Sequence, residues 1–210
     1  MAKRRKVGNL LALPVLSVLM MKAMHPYEIA NALRDTGKDE SMDIKWGSLY
    51  TVVQNLERHG FIEATETVRQ GRRPERTVYR ITEAGREELR DWVREIVGTP
   101  EREFPRLEIA LSVLGVLPPD EAVALLDQRV RQLDAGIAAT REMLAEAGAT
   151  VPRIFLIESE YSIAIRQAEA DWVRGLLKEI VDETMPGVAE WREFHRTGTL
   201  PADWRDPTDK

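Results

Sequence analysis

Between Lys45 and Phe61 the chain reads Lys-Trp-Gly-Ser-Leu-Tyr-Thr-Val-Val-Gln-Asn-Leu-Glu-Arg-His-Gly-Phe. Ser48, Tyr50, Thr51, Gln54, Asn55 and Arg58 place hydroxyls, amides and one guanidinium on one side of a helix, while Leu49, Val52, Val53 and Leu56 fall on the other. Groups that donate and accept hydrogen bonds suit the base edges and phosphate oxygens of a DNA groove. A helix that merely faced water, in a chain with 31% charged residues, would show more Glu and Lys there. Gly60 stops the helix, because glycine tolerates the left-handed conformation that helix ends often need.

Two further groups of basic residues suit polyanion contact. Arg69, Arg72, Arg73 and Arg76 gather around Gly71, opposed only by Glu75. Cations so placed bind phosphates or a narrow minor groove and contribute affinity more than sequence choice. Lys3, Arg4, Arg5 and Lys6 form a basic arm, which reads equally as a phosphate-contacting extension and as a solubilising terminus.

The elements that must position these groups follow from periodicity and punctuation. A first helix is expected at about Asn9–Lys22, with Pro14 tolerated only near its first turn. A second runs from about Pro26 to Thr36, burying Ile29, Ala30 and Leu33, and Gly37 ends it. The groove-suited helix is the third. Phe61–Arg69 and Arg76–Thr82 then read as the strands of a β-hairpin, with the arginine cluster at its tip. Three helices followed by a basic hairpin is the winged helix-turn-helix order, in which the third helix enters the major groove and the wing lies along the backbone. Thr82 caps a fourth helix, about Glu83 to Val97, with Leu89, Trp92, Val93 and Ile96 on one face. Gly98, Thr99 and Pro100 mark the domain boundary.

Beyond it the pattern is helical throughout. A helix near Pro105–Leu117 is followed by one from about Asp120 to Ala147 whose Leu126, Val130, Leu133, Ile137, Thr140 and Leu144 recur in steps of four and three, a seam for helix-on-helix packing. Another, about Pro152 to Glu183, carries the stripe Ile154, Ile157, Tyr161, Ile165, Ala168, Trp172, Leu176 and Ile180. Helices this long exceed what a compact domain needs, and a dimer interface would use the excess. A short helix over Val188–Arg196 and a loose tail from Thr197 complete the chain. The expected fold is mainly α with a small β-hairpin, divided into a DNA-binding domain over 1–98, a helical dimerisation and effector-response domain over 99–196, and a tail over 197–210.

Composition narrows the chemistry. With no cysteine among 210 residues, disulfides, thiolate metal sites and cysteine nucleophiles are excluded. His25, His59 and His195 are too scattered for a histidine metal site. No Gly-x-Ser-x-Gly, phosphate-cradling glycine loop or metal-spaced cluster appears, so neither catalytic residues nor cofactors are expected. Residues 1–99 carry 17 basic against 14 acidic side chains, net +3, and residues 100–210 carry 13 against 21, net -8. A polyanion is therefore one candidate partner of the front half. The basic arm and the apolar run Leu10–Met21 imitate a secretory signal, but no small-residue cleavage site follows and the run is too short for a bilayer. The first helix of a cytoplasmic protein, with no membrane partner, is the expectation.

His25-Pro26-Tyr27-Glu28-Ile29, Gly47-Ser48-Leu49-Tyr50, Leu56-Glu57-Arg58-His59-Gly60-Phe61-Ile62 and Arg76-Thr77-Val78-Tyr79-Arg80-Ile81-Thr82-Glu83-Ala84-Gly85 together resemble the PadR family of transcriptional regulators. The likeness covers about residues 9–97, and the Leu117-Pro118-Pro119 turn with its long helices resembles the C-terminal region of the longer subgroup. Pro26 departs from the glycine many relatives place there. The resemblance implies a homodimeric regulator, usually a repressor, that binds an inverted-repeat operator in double-stranded DNA and is released by a small, often aromatic effector. By position it sets Ser48, Tyr50 and Thr51 at the groove-facing start of the third helix, Tyr27 near a phosphate, and Arg72 and Arg73 on the wing. Gln54, Asn55 and Arg58 are added from helical geometry. Trp92, Trp172 and Trp191 read first as packing anchors; a sensor pocket between the fourth helix and the C-terminal helices would use Trp92 and Trp172. The competing reading is a helical protein–protein interaction regulator without direct operator binding.

Overall fold

A computed structural model of the chain describes residues 5–35, 46–68 and 76–200. The chain divides into two compact units, Met1–Glu103 and Phe104–Lys210.

Unit 1 contains α1 (Ala12–Met21), α2 (Pro26–Asp35), α3 (Trp46–Arg58), β1 (Ile62–Val68), β2 (Arg76–Ile81) and α4 (Glu83–Gly98). Helix α1 begins at residue 12 rather than 9, because Asn9 turns its side-chain oxygen onto the Leu11 N–H at 3.0 Å and so holds the preceding turn. Pro14 then falls in the first turn, where its missing N–H forfeits no helical bond. Helix α1 packs against α2, α3, β2 and α4. Its Val15, Leu16 and Leu19 meet Ile29 and Leu33 of α2 and Leu49, Val52, Val53 and Leu56 of α3 in a single core. Burying each such side chain stabilises the fold by roughly 1.5–3 kcal/mol. This core holds α3 by its apolar face alone.

The hairpin pairs Ile62 with Ile81 and Glu63 with Arg80, and a bulge falls between Ala64 and Glu66. Met24 and Tyr79 exchange backbone hydrogen bonds of 2.9 Å in both directions, tying the segment before α2 to β2. At the turn into α4, the Thr82 hydroxyl donates to the Gly60 carbonyl at 2.7 Å and accepts from the Gly85 N–H at 3.1 Å. One side chain thus stitches the end of α3 to the start of α4. The α4 face is narrower than its pattern predicts: Leu89 and Trp92 are buried, whereas Val93 and Ile96 are exposed. Four apolar positions spanning two turns cover a wider arc than the core of unit 1 reaches.

Unit 2 contains α5 (Arg106–Leu111), α6 (Pro119–Ala147), α7 (Ile157–Val181) and α8 (Val188–Thr197), with single 3₁₀ turns at Leu114–Val116 and Arg153–Phe155. The helix expected over 105–117 stops at 111, where Ser112 donates its hydroxyl to the Ile109 carbonyl at 2.7 Å. Serine bonds of this kind compete with helix continuation. Helices α6 and α7 pack together. The α6 seam holds: Leu126, Val130 and Ile137 are buried, and Leu133, Thr140 and Leu144 are half-buried. From α7 the buried residues are Ala170, Val173 and Ile180. Helix α8 closes the end of the unit, with Trp191 Nε1 donating to the Leu117 carbonyl at 2.8 Å and Arg192 pairing with Asp120 at 2.6 Å.

The α7 stripe divides. Its C-terminal members Leu176 and Ile180 join the core of unit 2. Ile157, Tyr161, Ile165 and Trp172 are exposed. The stripe drifts around the helix because steps of four and three do not match 3.6 residues per turn over its whole length.

Candidate nucleic-acid interface

The ridge of α3 is built by the burial of its other face. Leu49, Val52, Val53 and Leu56 are all at most 2% exposed. With that side fixed in the core, 3.6 residues per turn leaves Tyr50, Gln54 and Arg58 in one row along the outer surface and Thr51 with Asn55 in the next. Tyr50 is 52% exposed, Thr51, Gln54 and Arg58 are exposed, and Ser48 and Asn55 are half-buried. The Thr51 hydroxyl donates to the Gly47 carbonyl at 3.4 Å, which leaves its oxygen able to accept.

Glu57 is the one acidic residue of α3, and its carboxylate accepts a 3.2 Å hydrogen bond from the Tyr79 hydroxyl of β2. Burial, then the charge of Glu57 and that hydrogen bond, hold the Tyr79 phenol above its ordinary pKa. It therefore remains a protonated donor at neutral pH. The contact fastens hairpin to helix and engages the charge that would oppose phosphate. Sequence inspection missed this pair, since 22 residues separate its members and only the folded hairpin joins them.

Tyr27, in the first turn of α2, is 61% exposed. Its backbone N–H donates to His25 Nδ1 at 3.1 Å, and the Glu28 carboxylate accepts from the His25 N–H at 2.8 Å, so side chains cap this helix start and the phenol ring is left outside. Helices α2 and α3 pack against each other. Lys3, Arg4, Arg69, Arg72 and Arg73 lie outside the described residues, as does the side chain of Arg76, whose backbone pairs with Val68.

Arg5 requires a correction. Expected among the phosphate contacts, it instead turns inward onto α4, where its side chain is 5% exposed. It donates to Glu88 at 2.8 Å, pairs with Glu95, lies 3.6 Å from Asp91 and stacks 5.0 Å from the Trp92 ring centre. Burial by itself lowers the Arg5 pKa, but the hydrogen bonds and charges of Glu88 and Glu95 outweigh it and leave the group above its ordinary value. A raised pKa contributes stability that is present below the unfolded value and is lost only as pH climbs through the folded one. The guanidinium therefore stays charged throughout the neutral range. The spacing 88, 91, 95 on one helical face, opposite a basic arm, was the signal for this clamp.

The same geometry bears on Trp92, one of the two tryptophans assigned to a sensor pocket. Trp92 is 6% exposed in the core of unit 1 and carries Arg5 on its ring, so it acts as a packing anchor. Trp172 stands 54% exposed on α7 of unit 2.

We expect Arg5→Ala to cost about 2–4 kcal/mol, because three carboxylates on adjoining turns lose their shared cation. Urea denaturation of the variant against the parent chain measures it; a midpoint that does not move would contradict a stabilising clamp.

Among the described residues no cluster of His, Asp or Glu could hold a metal ion, and no helix is long and apolar enough to cross a membrane. Residues 15–91 match the model of the transcriptional regulator PadR-like family. No curated protein matches the chain significantly. Among solved structures, PadR of Bacillus subtilis in complex with operator DNA is 19% identical, with 80% of this chain and 98% of that one covered and a TM-score of 0.66. The same Bacillus subtilis protein in complex with p-coumaric acid is 17% identical, with coverages of 80% and 97% and a TM-score of 0.66. The Vibrio cholerae virulence activator AphA is 18% identical, with coverages of 82% and 99% and a TM-score of 0.65. At these identities the likeness concerns the fold. The matched segment, which runs from α1 into α4, carries the likeness to the transcriptional regulator PadR-like family, and the solved structures carry the likeness of fold.

Proposed function

We propose that the chain acts in the cytoplasm as a homodimer that represses transcription by binding an inverted-repeat operator, and that a small effector, aromatic in character, releases it. The observation that carries this reading is the outward row Tyr50, Gln54 and Arg58 on a helix whose opposite face is locked in the core. Ser48, Thr51 and Asn55 supply neighbouring groups for base edges, Tyr27 serves a phosphate, and Arg72, Arg73 and Arg76 serve the wing. Lys3 and Arg4 remain in the proposal as phosphate contacts, and Arg5 leaves it.

A twofold dimer presents two copies of α3 to successive major grooves, roughly 34 Å or a whole number of helical turns apart. An effector that binds better to a dimer with another separation shifts the population away from DNA. The Bacillus subtilis relative solved with p-coumaric acid supports a small aromatic effector. An activator shares the fold, so the sign of regulation is tested separately, by a reporter fused to the promoter.

Fluorescence anisotropy on DNA upstream of the chain's own gene and its neighbours tests operator binding. Nanomolar, steeply salt-dependent binding at one site supports it. Equal affinity for all duplexes, or none, favours the interaction module without operator contact.

For the dimer, the apolar residues Ile157, Tyr161, Ile165 and Trp172 lie exposed along α7, and a second copy of this face is their proposed cover. Light scattering is expected to give twice the chain mass of 23.9 kDa. Because symmetry introduces each substitution twice, Ile165→Glu is expected to weaken dimerisation by about 100-fold or more. A variant that remains dimeric at nanomolar concentration would place the interface elsewhere.

A further inference from the structure

Tyr79 of β2 is bound on three sides. Its backbone N–H and carbonyl exchange 2.9 Å hydrogen bonds with Met24, which lies three residues before Tyr27. Its ring is half-buried against the core of unit 1, where Ile81 is its neighbour on the same strand face. Its hydroxyl donates at 3.2 Å to the carboxylate of Glu57, in the last turn of α3. Among the described residues neither the hydroxyl nor the carboxylate has another hydrogen-bond or ion-pair partner.

The three elements that meet at this residue are those proposed to touch DNA. Met24 leads into α2 and its exposed Tyr27, Glu57 lies three residues beyond Gln54 and next to Arg58, and β2 begins at Arg76. Leu49, Val52, Val53 and Leu56 hold α3 by one face. Apolar burial is non-directional, so it fixes which face turns inward more closely than it fixes the last degrees of rotation. A hydrogen bond is directional and weakens steeply away from its preferred angle. Base edges make the same demand, because a bidentate contact forms only when both of its hydrogen bonds align. At the end of α3 two hydroxyl donors supply that direction, Thr82 to the Gly60 carbonyl and Tyr79 to Glu57. The first acts on backbone beyond the helix, and the second grips a side chain of the helix itself.

We infer that Tyr79 is a positioning residue for operator recognition: through Glu57 its hydroxyl sets the α3 row against the hairpin and the start of α2, and so governs discrimination between operator and unrelated DNA. This role rests on the reading of α3 as the element that meets base edges. It also accounts for an acidic residue beside a polyanion, since a carboxylate accepts a hydrogen bond more strongly than a neutral group does.

Fluorescence anisotropy of the full-length protein, on the duplex it prefers and on random duplex, tests the role. Tyr79→Phe keeps the ring and both backbone bonds and removes only the hydroxyl. It is expected to weaken operator binding by about tenfold and random-duplex binding by less than about twofold. Glu57→Ala, at an exposed helical position, sheds a negative charge, which by electrostatics alone would tighten binding to every duplex. Operator preference is instead expected to fall by about tenfold in Glu57→Ala, and to stay within about threefold of the parent in Glu57→Gln, which keeps an acceptor oxygen. Adding Tyr79→Phe to Glu57→Ala should change the preference by less than about twofold further.

Thermal denaturation accompanies each measurement, and should Tyr79→Phe fail to fold, loss of preference in Glu57→Ala with its recovery in Glu57→Gln supports the role by itself. Equal losses on operator and random duplex, additive losses in the double variant, or a Glu57→Ala variant that keeps its preference overturns the role. A parent chain that prefers no duplex overturns it together with the DNA reading. A discriminating parent whose Tyr79→Phe variant discriminates equally well overturns it alone.

Discussion

Replacing Gln54 with alanine is expected to weaken operator binding by about 2–6 kcal/mol, because a bidentate contact to a base contributes roughly 1–3 kcal/mol and a dimer forfeits it at both half-sites. The effect should fall on the specific site and spare binding to unrelated duplex, which rests on phosphate contacts. Tyr50→Ala and Arg58→Ala, one turn to either side, test whether the whole row is read, and the arginine variant should also flatten the salt dependence by about one counterion per half-site. None of the three should unfold the protein, since each side chain points away from a core made by Leu49, Val52, Val53 and Leu56. Anisotropy on operator and random DNA, with thermal denaturation as control, separates the possibilities. Unchanged operator affinity in all three variants would remove α3 as the reading head.

The second large effect concerns stability. Gly85 opens α4 beneath the end of α3, and a Cβ built on it would stand 2.0 Å from the Phe61 carbonyl oxygen and 2.9 Å from a side-chain carbon of Ile81. The oxygen belongs to backbone and accepts the 3.0 Å hydrogen bond from the Thr82 N–H, so it cannot yield without opening the turn. Gly85→Ala is therefore expected to destabilise the fold by about 2–4 kcal/mol, and more if the Thr82 cap is lost with it. Gly98→Ala is the control: nothing lies within 4 Å of its Cβ position, and alanine should be neutral or slightly stabilising there. Urea denaturation monitored by circular dichroism measures both. A Gly85→Ala midpoint equal to that of Gly98→Ala would show that the turn relaxes freely. Gly60 makes a milder demand, its φ of +74° costing a substituted residue about 1–2 kcal/mol.

Much of this molecule was legible before folding, and particular residues show why. The α3 pattern survives unchanged because its two faces differ in chemistry at every position, so one rotation of the helix satisfies the core. The hairpin and the Thr82 cap were legible for a similar reason, their signals being local: β-branched runs, a hydroxyl at the helix start and a glycine three residues later. Where the reading went astray, a distant partner intervened. Arg5 was assigned to phosphate by its basic neighbours, yet Glu88 and Glu95 lie 83 and 90 residues away in the chain and claim it. Val93 and Ile96 were assigned to the core by period, but period specifies only that residues share a side and leaves open how far the core extends.

By itself the sequence determined the order of helices and hairpin, the polar ridge of α3 and the family the chain resembles, because each depends on contacts within a few residues or on a repeat along one element. Only the tertiary structure decided which cations remain outward and which part of the α7 stripe is left uncovered. Those outcomes depend on which side chains from remote segments pack and pair most favourably in the same volume. Charge and close packing settle that competition, and neither acts until the chain has closed on itself.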